Sequence, residues 1–266
     1  MTKTRDTRAE DPTPGSKDAV PVRADGAPWR NFYGRRHGKA LRPGQIHHLE
    51  TTLETLRPRG VAWSENPART PLDPRALFGD ARPLWLEIGF GGGEHLLAQA
   101  RANPDVGLIG CEPFINGVAM LVPRIAEAGL ANIRVHPGDA RDLLDVLPAA
   151  TLARVFLLYP DPWPKKKHHR RRFMSRENLD PLARAMAPGA QLRVATDIPD
   201  YCRQALEVTA QHAGFAWTAA RADDWRTPWT DWTRTRYEAK AVREGRTPHY
   251  LTFERTDADI DAARAV

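Results

Sequence analysis

A chain of 266 residues with 41% hydrophobic and 27% charged side chains can bury one sizeable core, which excludes a wholly disordered polypeptide. Its formal net charge of +6 points toward a polyanionic partner, because clustered Lys and Arg release counterions from phosphates. Cys111 and Cys202 are too few for a disulfide framework and fit no zinc-ligand spacing, and no apolar run has membrane-spanning length. A cytoplasmic protein without metal or membrane attachment is expected, with the oligomeric state open between monomer and homodimer.

In chain order, residues 1–28 are polar, mixed in charge and rich in Pro, Gly and Asp. They carry too little apolar surface to offset the entropy of ordering, so a disordered tail is expected. Residues 29–83 contain RNFYGRRHGKALRPGQ and the helix-like HHLETTLETL, and read as an N-terminal extension lying on the core. From Leu84 short apolar runs alternate with amphipathic stretches: LWLEIGF, EHLLAQARAN, GLIGCEP, NGVAMLVPRIAEAGL, NIRVHPGD, RDLLDVLP, RVFLLYPD, SRENLDPLARAMAPG, QLRVATD and PDYCRQALEVTAQHAG. That alternation is the βαβ signature of an α/β fold, a Rossmann-like doubly wound sheet over residues 84–256. The sheet is expected to be mostly parallel, closed by an antiparallel C-terminal hairpin of FAWTAA with PHYLTFER, with 257–266 as a C-terminal tail. Pro123 falls inside the helix expected over 116–128, where it removes a backbone hydrogen bond and bends the helix.

In doubly wound sheets ligands sit beyond the carboxyl ends of the strands. Four acids fall there: Glu87, Glu112, Asp139 and Asp161. The first run ends in EIGFGGG, whose Gly89, Gly91 and Gly93 permit a tight turn and close approach of a ligand to a helix N-terminus. Dinucleotide enzymes space these glycines as GxGxxG; here the spacing is ExGxGxG, and an acid before the turn suits an ammonium group better than a phosphate. S-adenosylmethionine offers such a cation in its amino acid moiety. Glu112 is then placed for the ribose hydroxyls and Asp139 for the adenine amino group.

The most distinctive stretch is PDPWPKKKHHRRR at Pro160–Arg172, in which Lys165 to Arg172 are eight consecutive cationic or imidazole residues. With LEIGFGGGEHL at 86–96, TDIPDY at 196–201 and TRYE at 235–238, the chain resembles the bacterial tRNA (guanine-N7-)-methyltransferases, the TrmB-type family of class I S-adenosylmethionine enzymes. The resemblance runs from about Leu84 to the C-terminus. It implies a class I methyltransferase core, S-adenosylmethionine as donor, and guanine 46 of the tRNA variable loop as acceptor. Carried over by motif, it implies cofactor contacts at Glu87, Gly89, Gly91, Glu112, Asp139 and Asp161, and a catalytic role for Asp161. It implies substrate contacts at Lys165, Asp197, Thr235, Arg236, Tyr237 and Glu238, and an RNA-interacting segment of Lys167, His168, His169, Arg170, Arg171 and Arg172. The sequence departs from the family pattern where TRYE leads into AKAVREGRTPHY, and where Ile198 follows TD in place of a tryptophan.

Within the basic stretch, Trp163 is open to two readings, packing against the sheet edge or stacking on a base. His168 and His169 read as phosphate or surface contacts rather than metal ligands. Trp225, Trp229 and Trp232 with Arg226, Arg234 and Arg236 form a second aromatic and basic cluster, read either as core or as an RNA-facing loop. The competing functions are a noncatalytic RNA-binding relative, which would not need the four acids, and a nicotinamide-dependent dehydrogenase, which would need GxGxxG spacing.

Overall fold

The computed structural model describes residues 30–259; the tail expected over 1–28 and residues 260–266 of the expected C-terminal tail lie outside the described residues. Two short helices, α1 (Pro43–Glu50) and α2 (Thr52–Leu56), precede the sheet. Strands and helices then alternate: β1 (Leu84–Ile88), α3 (Glu94–Ala102), β2 (Gly107–Cys111), α4 (Ile115–Ala128), β3 (Ile133–His136), α5 (Ala140–Val146), β4 (Leu152–Leu158), α6 (Arg176–Ala185), β5 (Met186–Thr196) and α7 (Pro199–Ala210). The chain closes with β6 (Phe215–Trp217), α8 (Asp223–Arg226), α9 (Arg236–Arg243) and β7 (His249–Arg255).

The seven strands lie in the order β3-β2-β1-β4-β5-β7-β6. β1 to β5 are mutually parallel, whereas β7 runs antiparallel to both β5 and β6, which makes the expected C-terminal hairpin. Strand order reverses between β1 and β4, so the crevice for a ligand opens beyond their carboxyl ends.

Period-two alternation sorts each strand's side chains between the two faces. Leu84, Leu86 and Ile88 of β1, Ile109 and Cys111 of β2, and Val155 and Leu157 of β4 join one buried cluster with Leu143, Leu179 and Tyr201 from α5, α6 and α7. Trp85 and Leu108 turn to the opposite face, where Leu96 and Leu97 of α3, Val118 and Leu121 of α4, and Leu49 and Leu53 of the two N-terminal helices pack. Over β4, β5 and β7 that same face is covered by the irregular segment after α8, through Trp229 and Trp232 against Phe156 and Tyr250. Both N-terminal helices, α1 and α2, pack against α4.

One boundary differs from the expectation. The stretch SRENLDPLARAMAPG, set before the strand QLRVATD in the sequence, is divided: α6 stops at Ala185 and β5 begins at Met186, paired with Leu152. Pro188 disfavours a helical conformation at Ala187, and Gly189 turns the chain at φ +78°. Pro123 sits inside α4 as expected.

Candidate active site

A cavity of about 540 Å³ opens at the carboxyl ends of β1, β2 and β4. Its floor is built from the glycine turn. The amide of Gly89 donates to the Cys111 carbonyl at 2.8 Å, and that of Gly91 donates to Oε2 of Glu112 at 2.7 Å. Gly91 has φ +57°, and a β-carbon there would lie 2.8 Å from the Tyr237 ring; one on Gly117 would lie 2.3 Å from the Gly91 carbonyl. Gly117 thus lets α4 press directly on the turn, and Gly91 lets Tyr237 of α9 close over it. Glu112 follows β2 and is buried, its Oε1 accepting the Phe114 amide at 2.8 Å. Burial raises its pKa, the Phe114 and Gly91 amides oppose that rise, and the carboxylates of Asp161 and Glu87 add to it.

Asp139 caps α5, accepting the Arg141 amide at 2.9 Å, and pairs with the Arg141 guanidinium at 2.6 Å. Asp161 stands at the rim. More than a third of its surface faces open space, yet the walls around it withdraw enough water to raise its pKa, with Arg35 acting in the opposite direction. On either side of it Tyr159 and Trp163 adopt left-handed backbone conformations, at φ +50° and +40°. Bulky residues hold such conformations only where the surroundings impose them. Tyr237, near half exposed, lines the cavity over Gly91, and burial together with the Glu112 charge raises its hydroxyl pKa.

Residues 30–35 form the far wall. This strap is tied down at successive points: Arg30 makes a bidentate pair with Asp145 at 2.7 and 2.6 Å, the Asn31 carbonyl accepts from Arg141 at 3.1 Å, and the Arg36 carbonyl accepts the Ile115 amide at 2.9 Å. Tyr33 from the strap and Trp163 from the opposite loop stack on the Arg171 guanidinium, 4.7 and 4.9 Å from the two ring centroids. In the sequence this strap falls within the N-terminal extension and carries no expected site residue. The signal available was its own basic and aromatic composition, NFYGRR, which matches the character of the stretch it faces.

Gly89, Gly91, Glu112, Asp139, Asp161, Arg170, Arg171 and Tyr237 therefore meet around one cavity. Others of the expected site residues lie elsewhere. Glu87 is buried beneath the glycine turn, where its Oε2 accepts from His95 Nδ1 at 2.7 Å. Lys165, just before a 3-10 helix (Lys166–Arg171), and Lys167 within it are exposed, and His168 meets the Trp163 ring edge-on at 5.9 Å. His169 lies 3.3 Å from Asp200. Arg172 is buried. Asp197 is buried and accepts from the Arg246 guanidinium. Thr235 caps α9 by accepting the Glu238 amide at 3.2 Å, Arg236 pairs with Glu94, and Glu238 is buried between the Trp232 indole and the Tyr250 hydroxyl, each at 2.7 Å.

The second aromatic cluster divides. Trp229 and Trp232 join the Tyr250 core, whereas Trp225 stacks on His249 at 5.4 Å beneath Arg226. Among the described residues no group of His, Cys, Asp or Glu is arranged to hold a metal ion, and no helix is long and apolar enough to cross a membrane.

Comparison with known proteins agrees with this architecture. The family model described as a putative methyltransferase matches residues 81–251. A tRNA (guanine-N(7)-)-methyltransferase of Ruegeria sp. (strain TM1040) is 62% identical over 90% of this chain and 93% of its own length. The chain belongs to the TrmB-type tRNA (guanine-N7-)-methyltransferase family. A namesake from Mesorhizobium japonicum (strain LMG 29417 / CECT 9101 / MAFF 303099) is 51% identical over 84% of this chain and 94% of its own. Among solved structures, the 16S rRNA methyltransferase KamB superposes with a TM-score of 0.51 at 19% identity, over 68% of this chain and 93% of that one, a likeness of fold.

Proposed function

We propose that this chain transfers the methyl group of S-adenosylmethionine to N7 of guanine 46 in the tRNA variable loop, forming 7-methylguanosine in the cytoplasm. The observation that carries the reading is the position of Asp161, at the mouth of a cavity floored by Glu112 and Asp139 and rimmed by Arg170 and Arg171. Relatives above 60% identity bear the corresponding name.

The residues present fit a nucleoside-containing sulfonium. The cavity falls within the roughly 300–1,000 Å³ typical of small-molecule sites. Each Glu112 oxygen accepts one amide and keeps a second acceptor position for a ribose hydroxyl. Asp139, oriented by Arg141, offers an acceptor to an adenine amino group. The glycine turn lets a ligand reach the backbone. Glu87 would act on a ligand ammonium through its field from beneath the turn. When bound, the cofactor supplies an electrophilic methyl group.

Guanine N7 is an unprotonated acceptor, so no residue of this chain has to remove a proton from it. The work of the protein is positioning, which in well-oriented model reactions contributes about 7–11 kcal/mol. Asp161 faces the base and stabilises the positive charge that N7 alkylation leaves on the ring. Withdrawal of water at the rim raises its pKa, which disfavours the charged carboxylate relative to its state in bulk water. Lys165, Lys166 and Lys167 project outward to the RNA backbone, with Arg170 and Arg171 at the cavity edge. Thr235, Arg236 and Glu238 hold α9, which carries Tyr237 to the cavity, while Asp197 holds Arg246.

Incubating the protein with labelled S-adenosylmethionine and unmodified tRNA, then digesting and separating nucleosides by mass, tests the reading. Labelled 7-methylguanosine is expected. Cofactor binding without any labelled nucleoside would overturn it in favour of a noncatalytic RNA-binding relative.

A further inference from the structure

The eight-residue basic stretch is not uniform. Seven of its side chains are exposed or half-buried, whereas the Arg172 guanidinium is fully buried. Its Nε donates to the Pro162 carbonyl at 2.8 Å. Nη1 donates to the Gln204 Oε1 at 2.8 Å and the Asp200 carbonyl at 3.3 Å, and Nη2 donates to Asp200 Oδ2 at 2.6 Å and the Trp163 carbonyl at 3.4 Å. A guanidinium has five N–H donors, and all five are used inside the protein. None is left for a phosphate.

The acceptors divide into two groups. Pro162 and Trp163 belong to the loop that presents Asp161, and Arg172 gives each of their carbonyls a donor. Asp200 and Gln204 belong to the first turns of α7, which packs on the sheet through Tyr201 and Ala205. Gln204 also donates to the Met174 carbonyl at 2.9 Å, and the Arg172 cation lies 5.3 Å over the Tyr201 ring. One end of the clamp is therefore rigid and the other is a strained loop with Trp163 at φ +40°.

We infer that Arg172 is a positioning residue for methyl transfer: its guanidinium bolts the Pro162–Trp163 carbonyls to α7 and so fixes Asp161 at the cavity rim. This inference rests on the reading of Asp161 given above, and removes Arg172 from the residues expected to touch RNA. A planar fork is required for the task. Lysine carries the same charge but, as a compact ammonium with three donors, does not span two loop carbonyls, a carboxylate and an amide together.

The test compares Arg172→Lys and Arg172→Ala with the wild-type protein in turnover, in KM for tRNA, and in the salt dependence of tRNA binding. Both variants are expected to lose about a hundredfold in turnover, the scale of a reacting group displaced by an ångström, with KM and the salt slope at wild-type values. Full turnover in Arg172→Lys would overturn the inference. So would a salt slope reduced by about 0.7–0.9 with turnover intact, the mark of one lost phosphate contact. Should neither variant melt cooperatively, Gln204→Ala, which removes one half-buried acceptor, should lower turnover severalfold at unchanged KM; unchanged turnover there counts against the clamp. A 5-fluorotryptophan label at Trp163 reads the loop without any reaction. Its 19F resonance should shift or broaden in Arg172→Lys, and an unaltered resonance contradicts the inference. Absence of 7-methylguanosine from wild-type reactions would instead defeat the functional reading while leaving that resonance test in force.

Discussion

The floor and the rim of the cavity are built on opposite plans. On the floor, regular strand ends and a glycine turn hold acids through backbone amides, as Gly91 and Phe114 hold Glu112. On the rim, two irregular segments face each other, the strap 30–35 and the loop 159–172, and cations stack on aromatic rings, as Arg171 does between Tyr33 and Trp163. The floor is fixed by hydrogen bonds that a sheet supplies in any case. The rim depends on individual side chains, and Arg172 is the clearest of them. A small, tightly held floor suits a cofactor of constant shape, and an open cationic rim suits a large polyanion.

The largest expected effect comes from the rim. Asp161→Asn should lower turnover by about 10²–10³-fold, the scale for removing one group aimed at developing charge, with little change in cofactor affinity. A variant that instead loses cofactor would assign Asp161 to the floor. Next, Glu112→Gln should weaken cofactor binding by roughly ten- to a hundredfold, because it loses a charged acceptor and turns an amide NH₂ toward a backbone N–H. Calorimetric titration with S-adenosylmethionine checks this, and tRNA binding should hardly change.

A smaller effect is expected at the outer rim. Lys167→Ala should reduce tRNA affinity severalfold and lower the salt slope of binding by about 0.7–0.9, measured by filter binding across a salt series. Smallest of all is a stability effect. The fold raises the Asp161 pKa, so its contribution is fully present below the ordinary carboxylate value and is lost as pH rises through the raised one. At pH 7 Asp161→Asn should therefore raise Tm by about 1 °C, in keeping with a half-screened group, and the gain should vanish toward about pH 3. The same shift moves the Asp161 contribution to the acid limb of kcat/KM above the ordinary range near 4, and Asp161→Asn should remove that contribution and leave the one from Glu112.

Most of the floor could be read in advance because period and punctuation encode it. The alternation of β1 to β5 with helices, the glycines of EIGFGGG and the acids following each strand all stand where strand ends place them. What escaped reading depends on contacts between distant segments. Glu87 shares the strand-end pattern with the others, yet it turns to the face occupied by His95, a partner that the alternation does not reveal. Arg172 ends a run of like charges, and only the approach of α7 decides that it goes inward while Lys165 to Lys167 stay out. The strap reaches the cavity through bonds to Asp145, Arg141 and Ile115, each about eighty or more residues away along the chain. The early start of β5 was missed because a helical apolar period runs through Met186, and Pro188 and Gly189 break it only afterwards.

The measurement that tests the account most directly is strand scission at 7-methylguanosine by borohydride and aniline, applied to one purified tRNA after single-turnover reaction with wild-type or Asp161→Asn protein. A single cut at position 46 with wild type, about a hundredfold fainter with the variant at equal bound cofactor and tRNA, is the predicted result. Cuts of equal strength from both proteins, or a cut outside the variable loop, would contradict it.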